Sequence, residues 1–174
     1  MKWSPWSLGL LGACGVVVVP ATADALEVSF GVSVGGIQVG TEPRLAVSPF
    51  AGLLWHTEGG FLFEVHNMCS LLADSRVGIH ERTSATVGYA WHNGDVSLGP
   101  SLSFYSMFAC DPMACRRVEG AAPGGHAQVD WYFARFLGVS LSTNVAWYGG
   151  SSSVLPDNPA VMVTAGPIVR LESQ

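Results

Sequence analysis

Leu26-Glu27-Val28-Ser29-Phe30-Gly31-Val32-Ser33-Val34-Gly35 is the stretch that decides the fold. Leu26, Val28, Phe30, Val32 and Val34 share one parity; Glu27, Ser29, Gly31, Ser33 and Gly35 share the other. A strand sends successive side chains to opposite faces, so this period of two makes a ribbon with one bulky and one small or polar face. A small soluble barrel fills its interior with large apolar groups and turns charge to water. Here the second face is too small and carries too few charges to be a good solvated surface, and suits a narrow interior.

The pattern recurs along the chain, over about 44–55, 60–67, 77–91, 96–108, 126–134, 137–147 and 160–171. Most of the eight segments run roughly nine to thirteen residues, near the nine to eleven that a tilted strand needs to cross a hydrocarbon layer. Soluble strands have a mode of only about five or six. Connections after the second, fourth and sixth segments are short (56–59, 92–95 and 135–136). Asn93-Gly94 is a hairpin signal, because both central positions of such a turn can take positive φ. The other connections centre on 40–43, 70–76, 109–125 and 149–159, and are generally longer. Short turns on one rim and longer loops on the other are the arrangement of a transmembrane barrel. The expected fold is therefore all-β: an eight-stranded antiparallel up-and-down transmembrane β-barrel, with both termini on the short-turn, periplasmic side.

Trp55, Tyr89, Trp91 and Trp147 fall near strand ends, where aromatic rings sit at the headgroup level, and Trp131 is expected deeper. Pro49, Pro100 and Pro167 fall mid-strand on the lipid-facing parity, where a missing ladder donor predicts bulges or register shifts. Glu81 is also on that parity and predicts a bulge or loop boundary.

Residues 1–25 read as a signal peptide and 26–174 as the barrel. Met1-Lys2 is a minimal positive start, Leu8 to Val19 is almost wholly apolar, and small-x-small sites end at Ala23 and Ala25. Leu11-Gly12-Ala13-Cys14 resembles a lipoprotein box, but the apolar run continues past it where a polar tether belongs. Removing Lys2 and Asp24 leaves 7 of the 8 basic and 12 of the 13 acidic groups, so the net charge stays at −5. That excludes the basic surface a nucleic-acid partner requires. Cys69, Cys110 and Cys115 remain; export permits a disulfide, with Cys110–Cys115 the favoured pair across a tight loop and Cys69 an alternative partner.

With these faces, Glu27, Glu64, Arg82, Asp130 and Arg170 point inward as a candidate lumen ion-pair network. Arg44, His66 and His80 lie nearer its loop-side end. Glu27 and Arg170 come from the first and last strands, neighbours once the barrel closes. Charges in so narrow a lumen must be paired or hydrated, so a plugged interior is favoured over a channel. A lipid-modifying enzyme would need a nucleophile and base, loosely Ser84 or Ser103 with His80 or His126. No Gly-x-Ser-x-Gly elbow or Gly-x-Gly-x-x-Gly cradle is present. No catalytic residue, metal site or cofactor is assigned. Arg116 and Arg117, in the expected long loop, are candidate contacts for lipopolysaccharide or a protein partner.

In architecture the chain resembles the small outer-membrane barrels represented by the OmpA transmembrane domain and OmpX. The resemblance rests on signal peptide, eight strands, short turns and longer loops, and on no specific motif. It ends Val169-Arg170-Leu171-Glu172-Ser173-Gln174, with Leu171 where such barrels commonly carry a terminal phenylalanine. Too little follows Leu171 for a periplasmic domain, so peptidoglycan binding is not carried over. Related barrels include lipid A deacylases and palmitoyltransferases, whose catalytic residues find no match here. Outer-membrane localisation is implied, with a non-enzymatic role in envelope integrity or surface interaction as the first reading. A lipid A-modifying enzyme and a soluble barrel binding a small apolar ligand are the alternatives.

Overall fold

The computed structural model describes residues 26–39, 42–57, 59–72, 79–110, 115–147 and 159–172. The expected signal peptide lies outside them. Eight antiparallel strands form one closed barrel in chain order: β1 (Leu26–Val39), β2 (Glu42–His56), β3 (Phe61–Leu72), β4 (Ile79–Trp91), β5 (Gly94–Cys110), β6 (Cys115–Ala134), β7 (Leu137–Ala146) and β8 (Ala160–Glu172). Pairing of β8 with β1 closes the sheet, from Glu27↔Glu172 to Gln38↔Val161. The predicted up-and-down barrel is the observed fold.

The period of two is carried into burial. On β3, Phe61, Phe63 and Val65 are exposed while Leu62, Glu64 and His66 are buried. On β1, Val28, Phe30, Val32 and Val34 face out, and Ser29, Ser33 and Ile37 face in. A narrow barrel bends its sheet sharply, and inward glycines let the backbones approach. A Cβ on Gly35 would lie 2.6 Å from the Thr164 Cα on β8. Ile37, Ala46, Leu72 and Met162 pack inside near the loop-side end, above Phe50 and Met68.

The prolines need no bulge. At Pro49 the β2–β3 ladder lapses between Val47↔Leu71 and Phe50↔Met68 and resumes in the same register. At Pro100 the β4–β5 ladder does so between Ser84↔Ser101 and Val87↔Leu98, and at Pro167 the β1–β8 ladder between Gly31↔Ile168 and Val34↔Ala165. The opposite flank stays paired through Val32↔Pro49, Pro100↔Gly125 and Val139↔Pro167. A strand residue directs its N–H to one neighbour, so proline weakens one ladder locally while the other holds the register. Nor is there a bulge at Glu81, since β3–β4 pairing runs through Cys69↔Glu81 unshifted. Asn67 Nδ2 donates to Glu81 Oε1 at 3.3 Å and to Thr83 Oγ1 at 3.0 Å, so this outward carboxylate is satisfied near the loop-side rim. Among the described residues one register shift occurs, between Tyr132 and Ala134.

Three further expectations change. The segment 109–125 is not a long loop, because β5 extends to Cys110 and β6 begins at Cys115. Its Gly, Ala and Pro content mimics a loop, but Gly120 pairs with Tyr105, whose ring occupies the space a Cβ would fill. An aromatic lying over a cross-strand glycine restores the packing that glycine lacks. The β4–β5 turn is His92–Asn93, with Gly94 already paired to Trp91, and neither turn residue has positive φ; Gly60, at 81°, supplies that conformation in the β2–β3 turn. Trp131 pairs with Gly94 beside the short turns, so it belongs to the rim rather than the middle of the wall.

Candidate functional site

The interior is the site, and it is polar in tiers. Nearest the short-turn end, Arg170 on β8 reaches the opposite wall. Its Nη2 pairs with Asp95 Oδ2 on β5 and lies 4.0 Å from Asp130 Oδ2 on β6. Its Nε lies 3.4 Å from Glu27 Oε2 on β1, and its guanidinium carbon sits 4.3 Å above the Tyr132 ring. His56 Nε2 is 3.2 Å from the same Glu27 oxygen. Gln128 Nε2 donates to both oxygens of Asp130, at 3.1 and 3.0 Å, and the Tyr132 hydroxyl donates to Oδ2 at 3.3 Å. One arginine thus braces strands on both sides of the lumen against three carboxylates.

Each of these side chains has inward parity at the short-turn end, so the closed barrel sets them at one level of the lumen. Asp95 ↔ Asp130 is a direct cross-strand pair. Two carboxylates facing each other repel, and the cation inserted beside them offsets that repulsion.

The next tier holds Glu64, whose Oε2 accepts from Ser97 at 3.2 Å and Thr86 at 3.5 Å. Above it, His66 stacks on His126 across the lumen with centroids 5.5 Å apart and planes 10° from parallel. Phe50 packs on His66 at 5.2 Å. His126 Nδ1 meets the Thr143 carbonyl at 3.0 Å and Nε2 meets Gln128 Oε1 at 3.2 Å, while Ser101 donates to Asn144 Oδ1 at 2.7 Å. Higher still, Arg82 Nη2 bonds His66 Nδ1 at 3.1 Å.

Of the sequence-chosen set, Glu27, Asp130 and Arg170 meet. Glu64 and Arg82 are buried as expected but join no ion pair within 4.0 Å among the described residues. Asp95, His56 and Tyr132 complete the brace and were not chosen. Asp95 and His56 read as turn residues, although each is the inward position next to its turn and parity could have flagged them.

The serine–histidine pairs do not form. Ser84 donates to the His66 backbone carbonyl at 3.5 Å, His126 is engaged as above, and neither Ser103 Oγ nor the His80 ring has a hydrogen-bond partner. These groups are buried inside the wall and cannot touch lipid. Among the described residues no group of three or more His, Cys, Asp or Glu is placed to hold a metal. The expected Cys110–Cys115 disulfide gains no support, because the side chains of both cysteines lie outside the described residues. The two are register partners at the end of the β5–β6 ribbon, where opposed backbones do not by themselves supply the side-chain geometry a disulfide needs. Arg116 and Arg117 lie on β6, paired with Ala109 and Phe108, rather than in a loop; their side chains lie outside the described residues.

The outer wall completes the picture. Phe63, Val65, Val87, Leu98, Leu102, Val129, Leu141 and Val163 are all exposed on it. Tyr89, Trp91, Trp131, Phe133 and Phe136 cluster at the short-turn rim, and Trp147 lies at the other.

No protein-family model matches the sequence, and no curated protein does. Solved structures do. The chain is similar to Neisserial surface protein A, with 13% identity over 83% of this chain and 96% of that one, at a TM-score of 0.55. It is similar to the N-terminal β-barrel domain of Pseudomonas aeruginosa OprF, with 11% identity, coverage of 85% and 98%, and a TM-score of 0.57. It is also similar to Ail, the attachment invasion locus protein of Yersinia pestis, with 10% identity, coverage of 86% and 100%, and a TM-score of 0.53. In fold, the chain is one of the small eight-stranded barrels that these outer-membrane proteins represent.

Proposed function

We propose that the chain is a non-enzymatic barrel of a bacterial outer membrane, serving envelope integrity or surface interaction through its loop-side rim. The carrying observation is the pairing of two faces: a wall of exposed Val, Leu, Phe and Trp around a lumen crossed by Arg170. Water would not tolerate that wall as a monomer's surface, because contiguous apolar patches on soluble monomers rarely exceed a few hundred Å². Lipid accepts it, and closure leaves no unpaired strand edge in the hydrocarbon. The braced lumen argues for a scaffold rather than a pore. On this reading residues 1–25 are the export signal, the strands contact outer-membrane lipid, and Arg116 and Arg117 meet lipopolysaccharide phosphates or a protein partner near the outer rim.

Membrane fractionation followed by electrophoresis with and without boiling tests the placement. The chain should sediment with the outer membrane and migrate faster unboiled. Recovery in the periplasm or medium without detergent contradicts it. Binding of the folded protein to vesicles with and without lipopolysaccharide tests the rim. The Arg116→Glu/Arg117→Glu variant should lose the preference for lipopolysaccharide, and an unchanged preference removes these arginines from the account.

A further inference from the structure

The brace explains Arg170 but leaves the other deeply buried arginine without an ion pair. Arg82 is 1% exposed, and its Nη2 is spent on His66. Its Nε and Nη1 have no hydrogen-bond partner, and no carboxylate lies within 4.0 Å among the described residues. Glu64 acts on it only through space and makes no ion pair with it. Arg82 pairs with Met68 in the β3–β4 register, and Glu64 is four residues further down β3, roughly 13 Å at 3.3 Å per residue. The stacked His66–His126 pair and Phe50 stand at the intervening level.

Around Arg82 the unpartnered groups are mostly donors. Ser103 is its cross-strand partner on β5, fully buried, with Oγ unbonded. His80 is the next inward residue on β4 toward the loop side; it is 1% exposed and neither ring nitrogen is bonded. A neutral imidazole has one N–H, a serine one O–H, and the guanidinium Nε and Nη1 three N–H between them. Three side chains on two adjacent strands therefore present unmet hydrogens in one stretch of lumen, beside a buried positive charge.

We propose that Arg82, Ser103 and His80 form a binding site for a small inorganic monovalent anion, of which chloride is the natural probe. One unpaired cation calls for one negative charge, and a donor-rich lining suits an acceptor. A narrow lumen favours a small ion over an organic acid. The charge distribution favours this level of the lumen. Glu27, Glu64, Asp95 and Asp130 occupy the short-turn half with Arg170, so the field there repels an anion that Arg82 attracts.

The test uses the whole mature protein, folded in detergent and crystallised from bromide in place of chloride. An anomalous peak in hydrogen-bonding range of the Arg82 guanidinium and Ser103 Oγ supports the site; ordinary water density there, without anomalous signal, overturns it. In solution, thermal unfolding is followed at fixed pH and ionic strength while chloride replaces gluconate, a bulkier organic anion that a narrow lumen disfavours. Chloride at about 100 times its Kd should raise the midpoint by about 5–10 °C. Arg82→Met should abolish the difference between the two salts. Where that variant does not fold, Ser103→Ala provides the test, with about tenfold more chloride needed for half the effect. Equal midpoints in both salts for the wild-type protein, or an undiminished difference in a folded Arg82→Met or Ser103→Ala variant, overturn the proposal.

Discussion

Arg170→Met is the perturbation that bears most on the interior. Methionine keeps much of the length and the apolar stem but removes the charge. The Arg170 side chain is 11% exposed, and its two nearest carboxylates, on Asp95 and Glu27, are 1% and 18% exposed. Removing one partner from a buried ion pair costs about 3–5 kcal/mol, because the other charge stays buried without compensation. Three carboxylates share this cation, and Asp130 retains Gln128 and Tyr132, so the lower part of that range applies to Asp130 and the full cost to Asp95. The loss of the Tyr132 stack adds on the order of 0.5–2 kcal/mol. The assay is equilibrium urea unfolding of the mature chain in lipid vesicles, followed by tryptophan fluorescence. The variant should lose at least about 3 kcal/mol with little change in the urea slope. Adding Asp95→Asn should recover more than about 1 kcal/mol, since it removes the charge left unpaired. A single variant within about 0.5 kcal/mol of wild type would refute the brace.

Other consequences follow from the two faces and their curvature. Leu98 is 62% exposed on the wall, so Leu98→Arg disturbs no packing; in lipid it should still cost up to about 2–4 kcal/mol, read by the same urea titration. A neutral or stabilising result would mean that this face meets water. Gly35→Val drives a side chain into the Thr164 backbone and should prevent the β1–β8 closure, abolishing the fast-migrating unboiled band; a heat-modifiable variant would show that close approach is not needed there. Tyr105→Ala should expose Gly120 and loosen the β5–β6 ribbon, seen as faster amide exchange over Gly120 and Ala121 than in wild type. Unchanged exchange would remove the ring from the packing argument.

Parity carried most of this fold in plain view. A period of two survives any moderate error in strand ends, so the inward parity of Glu27, Glu64, Arg82, Asp130 and Arg170 is legible in the sequence alone. What failed was punctuation. Gly120-Ala121-Ala122-Pro123-Gly124-Gly125 has loop composition, but a curved barrel wall wants small residues where backbones crowd or where Tyr105 lies across them. The prolines looked like register breaks because composition cannot say which neighbour a given N–H faces. Asp95 and His56 were lost to the turns beside them, although a charge one step inside a turn is well placed to close the end of a barrel. Partner choice was the least legible level. Glu64 and Arg82 have opposite charge and the same face, yet their separation along the register depends on strand stagger, which no local pattern encodes.

The most direct measurement is spin-label accessibility along β5. Single cysteines are placed in turn at 96, 97, 98, 101, 102, 103 and 104, with Cys69, Cys110 and Cys115 replaced by serine. In lipid vesicles, collision with oxygen, which concentrates in hydrocarbon, should peak at Val96, Leu98, Leu102 and Phe104 and fall at Ser97, Ser101 and Ser103. Collision with a water-soluble nickel complex should stay low at the first four. Strong nickel contact at Leu98 and Leu102, or oxygen peaks on the serine parity, would contradict the assignment of the bulky face to lipid.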